Sequence, residues 1–178
     1  SRVSRGLGDV YKRQFKDSEG IYSDISSKMT LGLNPFHYGG GGITSTLNDY
    51  LKILQFLLKS MKGGKKSSIV PQMFRNQIGN SKISPFKSFN KVLASDYDLY
   101  PNIEKSWGYG LLLNNQPLKT GRSANSGSWA GVLNTYFWVD YRNDIAGVFL
   151  TQILPCYTPS LLKGCLLYTS PSPRDTRE

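Results

Sequence analysis

The stretch GSWAGVLNTYFWVD, residues 127–140, decides the fold of this chain. It places a turn of small residues around Trp129, Ala130 and Gly131 directly before residues 135–139, all five of which have a strong preference for strands. Glycine weakens a strand and has no side chain to pack, so its usual role there is a bulge, a corner or the close approach of a ligand. The stretch therefore predicts a strand whose backbone lies close to another group where the strand begins.

The two ends of the chain resemble translated sequencing-adapter DNA. Residues 4–14 read SRGLGDVYKRQ and residues 165–175 read CLLYTSPSPRD, and the two strands of one DNA element can encode them. Two unrelated protein segments have no physical reason to share such an element, whereas a DNA fragment flanked by inverted transposon ends must encode both. We therefore interpret residues 1–14 and 165–178 as adapter-derived, and we read the fold from residues 15–164 alone.

The charge and the cysteine content argue against several classes of function. Residues 15–164 carry 16 basic and 9 acidic side chains, a net charge of +7, against +10 for the whole chain. Apart from one lysine cluster the positive charge is dispersed, so nucleic-acid binding is not expected. The cluster consists of Lys59, Lys62, Lys65 and Lys66. Cys156 is the one cysteine in this range, so no disulfide framework, metal site or other cofactor is expected. No apolar run approaches the roughly 20 residues of a membrane span.

The most regular pattern in the chain predicts a helix after residue 44. Ser45 or Thr46 provides the N-cap, and Thr46 with Asp49 has the spacing of a capping box, with Asp in place of Glu. Apolar side chains then recur every three or four residues along one face. They are Leu47, Tyr50, Leu51, Leu54, Leu57, Leu58 and Met61. Gly63 and Gly64 predict the end of the helix.

The sequence after residue 105 predicts strands. Residues 107–113 are expected to form one strand, the aromatic part of 127–140 a second and residues 145–153 a third, with a turn at 141–144. The last two strands are apolar on both faces, and such strands are covered on both faces. The sequence therefore predicts an internal sheet with helices on each side.

The other segments give weaker patterns. Residues 15–38 are polar and are expected to be irregular. Residues 65–105 are rich in Ser, Lys, Asn and Pro, which indicates a surface excursion with a short helix at 71–76. Leu161 and Leu162 are expected to begin a further helix.

Four blocks, in this order, resemble the C-terminal half of the beta-lactamase-related serine hydrolases. They are GGGGITSTLNDYLKILQFLL (39–58), WGYGLL (107–112), SWAGVLNTYFWVD (128–140) and IAGVFLTQ (145–152). That superfamily contains class C beta-lactamases, penicillin-binding DD-peptidases and esterases. The blocks are most similar to the esterase-like branch, in which a Trp-x-Gly turn precedes a strand containing Tyr-Phe-Trp.

The resemblance implies a fold and a substrate class. The fold is α/β (α+β), beta-lactamase/transpeptidase-like, with an antiparallel sheet flanked by helices. Residues 15–164 are then expected to be the C-terminal part of such a domain. The substrate of the intact parent is expected to be a small-molecule ester or amide, with no cofactor.

The chemistry of this superfamily depends on three sequence boxes. A Ser-x-x-Lys at the start of a helix supplies a nucleophile and a lysine that accepts its proton, a Tyr-x-Asn or Tyr-x-Ser assists proton transfer, and a Lys-Thr-Gly or a variant opens an inner strand. That strand and the nucleophile each give one N–H to the oxyanion hole. The resemblance places the first two boxes upstream of Phe15. This chain is therefore expected to lack the nucleophilic Ser, the Lys and the Tyr, and to be inactive.

Three turns are candidates for the third box. Trp129-Ala130-Gly131 is favoured because the box should enter its strand directly; Asn125-Ser126-Gly127 and Lys119-Thr120-Gly121 are the alternatives. If the favoured turn is the box, the family implies that Gly131 lets the substrate approach and that Trp129 walls the acyl pocket. It also implies that the N–H of Val132 or its neighbour faces the carbonyl oxygen. The turn has no lysine, so beta-lactamase activity is not expected.

A second set of matches to the three boxes occurs inside the chain, in the order expected for the family but with different spacing. The matches are Ser84 with Lys87, Tyr100 with Asn102, and Lys119-Thr120-Gly121. The family places a helical domain between the boxes, whereas here fewer than twenty residues separate each box from the next. We interpret the set as a chance match. The alternative function is that of a non-catalytic homologue that uses the fold for binding or assembly.

Overall fold

The computed structural model describes residues 13–25, 45–63 and 69–158. This part of the chain contains two helices, α1 (Leu47–Lys62) and α2 (Val70–Met73). It also contains eight strands: β1 (Gln14–Lys16), β2 (Tyr22–Asp24), β3 (Lys105–Trp107), β4 (Leu112–Asn114), β5 (Gly127–Gly131), β6 (Thr135–Asp140), β7 (Ile145–Phe149) and β8 (Ile153–Leu154). The helix predicted at Leu161 lies outside the described residues. The boundaries between adapter-derived and natural sequence stay predictions.

Five strands form the main sheet, in the order β3-β4-β5-β6-β7. Every neighbouring pair in it is antiparallel, as expected when consecutive strands are joined by short connections. A smaller sheet has the order β2-β1-β8, in which β1 is antiparallel to β2 and parallel to β8. The predicted α/β fold with an antiparallel sheet is confirmed.

Residues 127–140 form a hairpin rather than a turn followed by a strand. Residues 129–131 lie in β5 and pair with β6. The turn is at 132–134, where Asn134 takes the left-handed conformation, with a φ of 58°. The prediction of a turn at 129–131 was wrong. Glycine is needed at 131 for space within the hairpin and not for a turn, since a Cβ on Gly131 would lie 2.3 Å from the Thr135 hydroxyl oxygen.

Helix α1 agrees closely with the sequence prediction. Thr46 is the N-cap; its hydroxyl oxygen accepts the N–H of Asp49 (3.2 Å) and the hydroxyl donates to the Asp49 carboxylate (3.0 Å). Gly63 is the C-cap. The centre of the predicted apolar stripe, Leu54 and Leu57, is buried, and the helix packs against β6 and β7.

We expect the Thr46→Ala substitution to lower the free energy of unfolding by about 1 kcal/mol, because it leaves the Asp49 amide without its acceptor at the helix start. Urea denaturation followed by circular dichroism would measure this change. Ser45→Ala is the matched control, since among the described residues the Ser45 hydroxyl bonds to the Thr46 carbonyl at 3.3 Å and not to an N–H of the first helical turn. Equal effects of the two substitutions would contradict the assignment of Thr46 as the cap.

Two predicted strands are each divided in the structure. Residues 107–113 contain a tight turn between β3 and β4, closed by the Gly108 N–H to the Leu111 carbonyl (2.9 Å), and Gly110 has a φ of 72°. The glycines that the prediction treated as interruptions thus mark the turn itself. Residues 145–153 are divided because the Thr151 hydroxyl bonds to the Leu133 carbonyl, and β8 then joins the smaller sheet.

Two segments are more ordered than their composition indicates. Residues 15–38, predicted to be irregular, begin within the β1–β2 hairpin, whose turn is held by the Asp17 carboxylate accepting the Ile21 N–H (2.8 Å). Residues 65–105 contain α2, close to the predicted short helix, but they are not only a surface excursion, because Leu99 and Tyr100 are buried. The composition of a polar segment does not indicate which of its few, widely spaced apolar residues are buried.

The core consists of two clusters, one on each face of the main sheet. On the first face, Leu54 and Leu57 of α1 pack with Leu111, Leu113 and Val139. On the second face, Leu112 and Tyr136 pack with Leu99, Tyr100 and Tyr157. Residues 111–113 alternate between the two clusters, as strand geometry requires. Among the described residues, a helix covers the first face, and irregular segments cover the second.

Candidate functional site

Strand β5, which carries the favoured third box, lies in the middle of the main sheet and is longer than one of its neighbours. Its ladder with β6 runs the whole length from Gly127 to Gly131. Its ladder with β4 covers only Gly127 and Ser128. Within the described residues, β5 therefore extends past β4, and residues 129–131 have an open edge on that side.

The peptide groups of Ala130 face this open edge. Alternate residues of an antiparallel strand direct their N–H and C=O groups to opposite neighbours. The Gly131 carbonyl points to the β6 side, where it accepts the Asn134 N–H (3.1 Å), whereas the Ser126 carbonyl accepts an N–H from β4 (3.4 Å). Even-numbered residues thus face β4. Ala130 shares this direction. The Val132 N–H is trans to the Gly131 carbonyl in one planar peptide unit, so it also points away from β6.

Trp129 is part of an aromatic cluster next to the first residue of β4. Its indole meets Trp107 edge-on at a centroid distance of 4.6 Å and Phe86 at 5.8 Å. Phe86 in turn stacks on Tyr97 at 4.6 Å. Aromatic pairs of this kind contribute about 0.5–1.5 kcal/mol each beyond their area burial. The indole is thereby held on two sides while it stays partly exposed.

The far end of β5 is fixed by the chain that follows β7. The Asn134 side-chain amide donates to the carbonyls of Ile153 (2.8 Å) and Pro155 (2.7 Å). The Cys156 thiol donates to the Gly131 carbonyl at 3.1 Å. Burial raises the pKa of the Cys156 thiol, so the group stays protonated and acts as a donor. The backbone of Gly131 is thus held from the side opposite to the open edge.

The structure places the two alternative third boxes differently. Asn125, with a φ of 63°, and Ser126 lead directly into β5. Lys119 lies in a separate turn, closed by the Gly121 N–H to the Leu118 carbonyl (3.0 Å). The identity of the third box stays a prediction, and Val132, half exposed after β5, stays part of it.

The internal Ser-x-x-Lys match lacks the geometry of a nucleophile box. Ser84 and Lys87 lie outside any helix, and three residues of extended chain span about 10 Å. The Lys87 ammonium pairs instead with Asp96 at 3.4 Å. Hydrogen bonds from Lys91 and from the Ser88 N–H, with a further contribution from Lys87, lower the pKa of Asp96 to about 2, so this carboxylate is a stable partner for the lysines.

A buried polar cluster beside β5 was not predicted from the sequence. The Arg122 guanidinium donates from Nη1 to the Tyr100 hydroxyl (2.9 Å), which lies 2.5 Å from the Ser128 hydroxyl. The three residues are 1%, 3% and 5% exposed. The guanidinium also lies 4.7 Å from the Trp138 ring. The Tyr-x-Asn match drew attention to Tyr100, and Ser128 belongs to the stretch 127–140, but no local pattern marks Arg122 or indicates that the three side chains meet.

The cavity next to this cluster is small. It holds about 10 Å³ and is lined by the three cluster residues together with Leu99, Trp129, Tyr136 and Phe137. A volume of that size accommodates about one water molecule. The acyl pocket of a hydrolase needs more space, so this cavity does not provide it.

The described residues show neither a metal site nor a membrane span. No three His, Cys, Asp or Glu side chains within them are close enough to hold a metal ion. Neither α1 nor α2 has the length and apolar character needed to cross a bilayer.

Comparison with solved structures identifies the class of fold. The chain has the beta-lactamase/transpeptidase-like fold, in agreement with the resemblance read from the sequence blocks. No protein-family model matches the sequence, and no curated protein matches it significantly. The assignment therefore depends on the three-dimensional arrangement and is an assignment of fold.

The similar structures include those of simvastatin synthase (LovD) from Aspergillus terreus. A LovD mutant superposes with a TM-score of 0.69 at 17% identity, covering 88% of this chain and 41% of the other. The unliganded selenomethionyl derivative gives a TM-score of 0.68 at 18% identity, covering 88% and 40%. The unliganded enzyme gives 0.65 at 17% identity, covering 94% and 41%. This chain thus spans about two fifths of the length of the structures it matches.

Proposed function

We propose that this chain is the C-terminal part of a serine hydrolase of the beta-lactamase fold, whose parent cleaves a small-molecule ester or amide through an acyl-enzyme. The observation that carries the proposal is the open edge of β5 beside Trp129. An inner strand whose peptide groups are free on one side can donate an N–H to a developing oxyanion. The coverage of about two fifths of LovD supports a domain of which this chain is a part.

Each residue of the favoured third box has a role in this proposal. Val132 donates the N–H to the substrate carbonyl oxygen, and Ala130 is the next amide along the same edge. Gly131 keeps the approach to the backbone free of a side chain. Trp129, braced by Trp107 and Phe86, forms one wall of the acyl pocket.

The nucleophile is proposed to lie upstream of Phe15, so the chain alone is inactive. Support comes from the internal boxes, whose side chains are engaged elsewhere: Lys87 pairs with Asp96, and the Tyr100 hydroxyl is buried against Ser128. Without a serine and its base, the covalent route is lost.

We expect no hydrolysis of p-nitrophenyl acetate or butyrate above the buffer rate, either by this chain or by its Ser84→Ala variant. Release of p-nitrophenolate, followed by absorbance, measures the rate. Ser88→Ala, which removes the serine of the neighbouring Ser-x-x-Lys match, is the control variant. Hydrolysis that is lost in Ser84→Ala but kept in Ser88→Ala would show that the internal boxes are catalytic and would overturn the proposal.

Recovery of the upstream reading frame from the source DNA tests the parent directly. The proposal requires a Ser-x-x-Lys and a Tyr-x-Asn or Tyr-x-Ser before Phe15. If both are absent, the chain belongs instead to a non-catalytic homologue that uses the fold for binding or assembly.

A further inference from the structure

We infer that Arg122 is a positioning residue that acts through Tyr100 and Ser128 to fix the point where β5 leaves its ladder with β4. The inference rests on the proposed function, because that function needs the open edge of β5 to keep one geometry. Ser128 directly precedes Trp129 and is the last residue of β5 that pairs with β4. A constraint at Ser128 therefore sets the start of the open edge.

The hydrogen bonds of the cluster have one consistent direction. Arginine has only donors, so the Tyr100 oxygen accepts from Arg122 and its hydroxyl proton is directed to Ser128. The Ser128 hydroxyl then donates to the Leu112 carbonyl at 3.4 Å. Leu112 is the partner of Ser128 in the β4–β5 register. This series of hydrogen bonds thus begins at the Arg122 guanidinium and ends at Ser128 and Leu112, the last residue pair of the β4–β5 ladder.

Arg122 and Tyr100 are each held by a further contact outside β5. The guanidinium of Arg122 lies against the Trp138 ring, at 4.7 Å from its centroid, and its planar shape suits such stacking. The backbone of Tyr100 is held by Lys105, whose ammonium donates to the Tyr100 carbonyl (2.9 Å) and pairs with Asp98 (2.8 Å). Movement of β5 relative to these anchors would break bonds inside the protein, where they cannot be replaced by water.

Stability alone does not account for such a cluster. A buried charged group is often replaceable by apolar residues of similar volume at little cost in stability. The Arg122 guanidinium has only donors, so the direction of the hydrogen bonds is fixed. A permanent, planar donor is what a fixed strand position requires.

Amide hydrogen exchange in the chain, read by NMR, separates positioning from general stabilisation. In Tyr100→Phe and in Ser128→Ala we expect exchange at the amides of Ser128 and Leu112, which face each other in the β4–β5 ladder, to become about tenfold faster. Amides that face the β6–β7 ladder, such as those of Asp140 and Gly147, should change by less than about threefold. Because both variants break one chain of bonds, the double variant should resemble the larger single variant rather than their product.

Ser126→Ala is the matched control. It removes a buried serine hydroxyl two residues from Ser128, but that hydroxyl bonds to the Ser123 carbonyl (2.8 Å) outside the cluster, so exchange at the Ser128 and Leu112 amides should stay unchanged. Tyr100→Phe preserves the ring and its packing, which keeps the test informative if an Arg122→Met variant does not fold.

Two results would overturn the inference: exchange that accelerates equally throughout β4–β7, or exchange at the Ser128 and Leu112 amides that is unaffected. Neither result bears on whether a nucleophile exists upstream. Conversely, local acceleration together with an upstream frame lacking Ser-x-x-Lys would keep the positioning role and remove the proposed hydrolase. The two failures are therefore distinguishable.

Discussion

Replacing Gly108 with alanine is expected to lower the free energy of unfolding by about 3 kcal/mol or more. A Cβ at this position would lie 1.8 Å from the carbonyl oxygen of Met73 and 2.8 Å from its carbonyl carbon. Both atoms belong to the backbone at the end of α2, so no side chain can rotate to make room. Overpacking against flexible groups costs about 1–3 kcal/mol, and a backbone obstacle places this substitution at or above the upper end.

The contacts around Gly108 explain why the backbone cannot easily withdraw. The turn between β3 and β4 is joined to the chain after α2 by the Gln77 N–H, which donates to the Trp107 carbonyl at 2.8 Å. Shifting Gly108 would move Trp107 and with it the aromatic cluster around Trp129. Loss of stability should therefore be accompanied by a change in tryptophan fluorescence. Urea denaturation measures the first effect and an emission spectrum of the native protein the second.

Substitutions at two further glycines provide a comparison for the effect of Gly108→Ala. In Gly127→Ala the new Cβ would meet the side chains of Leu111 (2.6 Å) and Phe74 (2.9 Å), which can adjust, so a smaller loss of about 1–2 kcal/mol is expected. In Gly63→Ala the nearest atom is 3.4 Å away and the φ of −70° is helical, so the effect should be neutral or stabilising by up to about 1 kcal/mol. If Gly108→Ala cost no more than Gly63→Ala, the close approach to Met73 would be refuted.

Removing the carboxylate of Asp140 is expected to lower the free energy of unfolding by about 3 kcal/mol. Asp140 is fully buried, and its oxygens accept three backbone N–H groups: that of Ser123 at 2.8 Å and those of Arg142 and Asn143 at 3.2 Å each. In Asp140→Ala these donors lose their acceptor, and an unsatisfied buried donor costs about 1–3 kcal/mol. Chemical denaturation, fitted to a two-state transition, would give the difference.

Two variants separate the role of the oxygens from that of the charge. Asp140→Asn keeps one acceptor oxygen and the shape of the side chain, so about half of the loss is expected. Asp144→Asn removes the exposed ion pair with Lys62 and should cost less than about 1 kcal/mol. Comparable losses of stability at the two positions would mean that the turn as a whole, and not hydrogen bonding to the buried oxygens of Asp140, accounts for the change in the free energy of unfolding. Because Ser123 follows Arg122, Asp140→Ala should also loosen the segment that leads into β5.

The helix was predictable from sequence because its signals are local. The cap at Thr46, the spacing of Leu54 and Leu57 and the stop at Gly63 lie within one segment, and each survived in the structure. The predicted turn after Asp140 was correct for the same reason, since its carboxylate accepts N–H groups two and three residues further along. Such features depend on backbone geometry over a few residues.

The candidate site was predictable only in outline. The sequence marked residues 129–132, and their role stays a prediction; the structure adds that β5 extends past β4 there. The contact among Tyr100, Arg122 and Ser128 was missed, because the three residues come from separate segments and no local pattern indicates that they meet. Trp107 was read as part of a strand, with no indication that it would meet Trp129.

By itself the sequence determined the capped helix and the apolar segments that form strands, because periodicity and residue type act over short range. Only the tertiary structure decided which part of 127–140 is strand and which is turn, where β5 becomes free of β4, and which polar side chains are buried beside it. A ladder ends where the partner strand ends, and a side chain is buried by whatever segment covers it. Neither property is contained in the residues of β5.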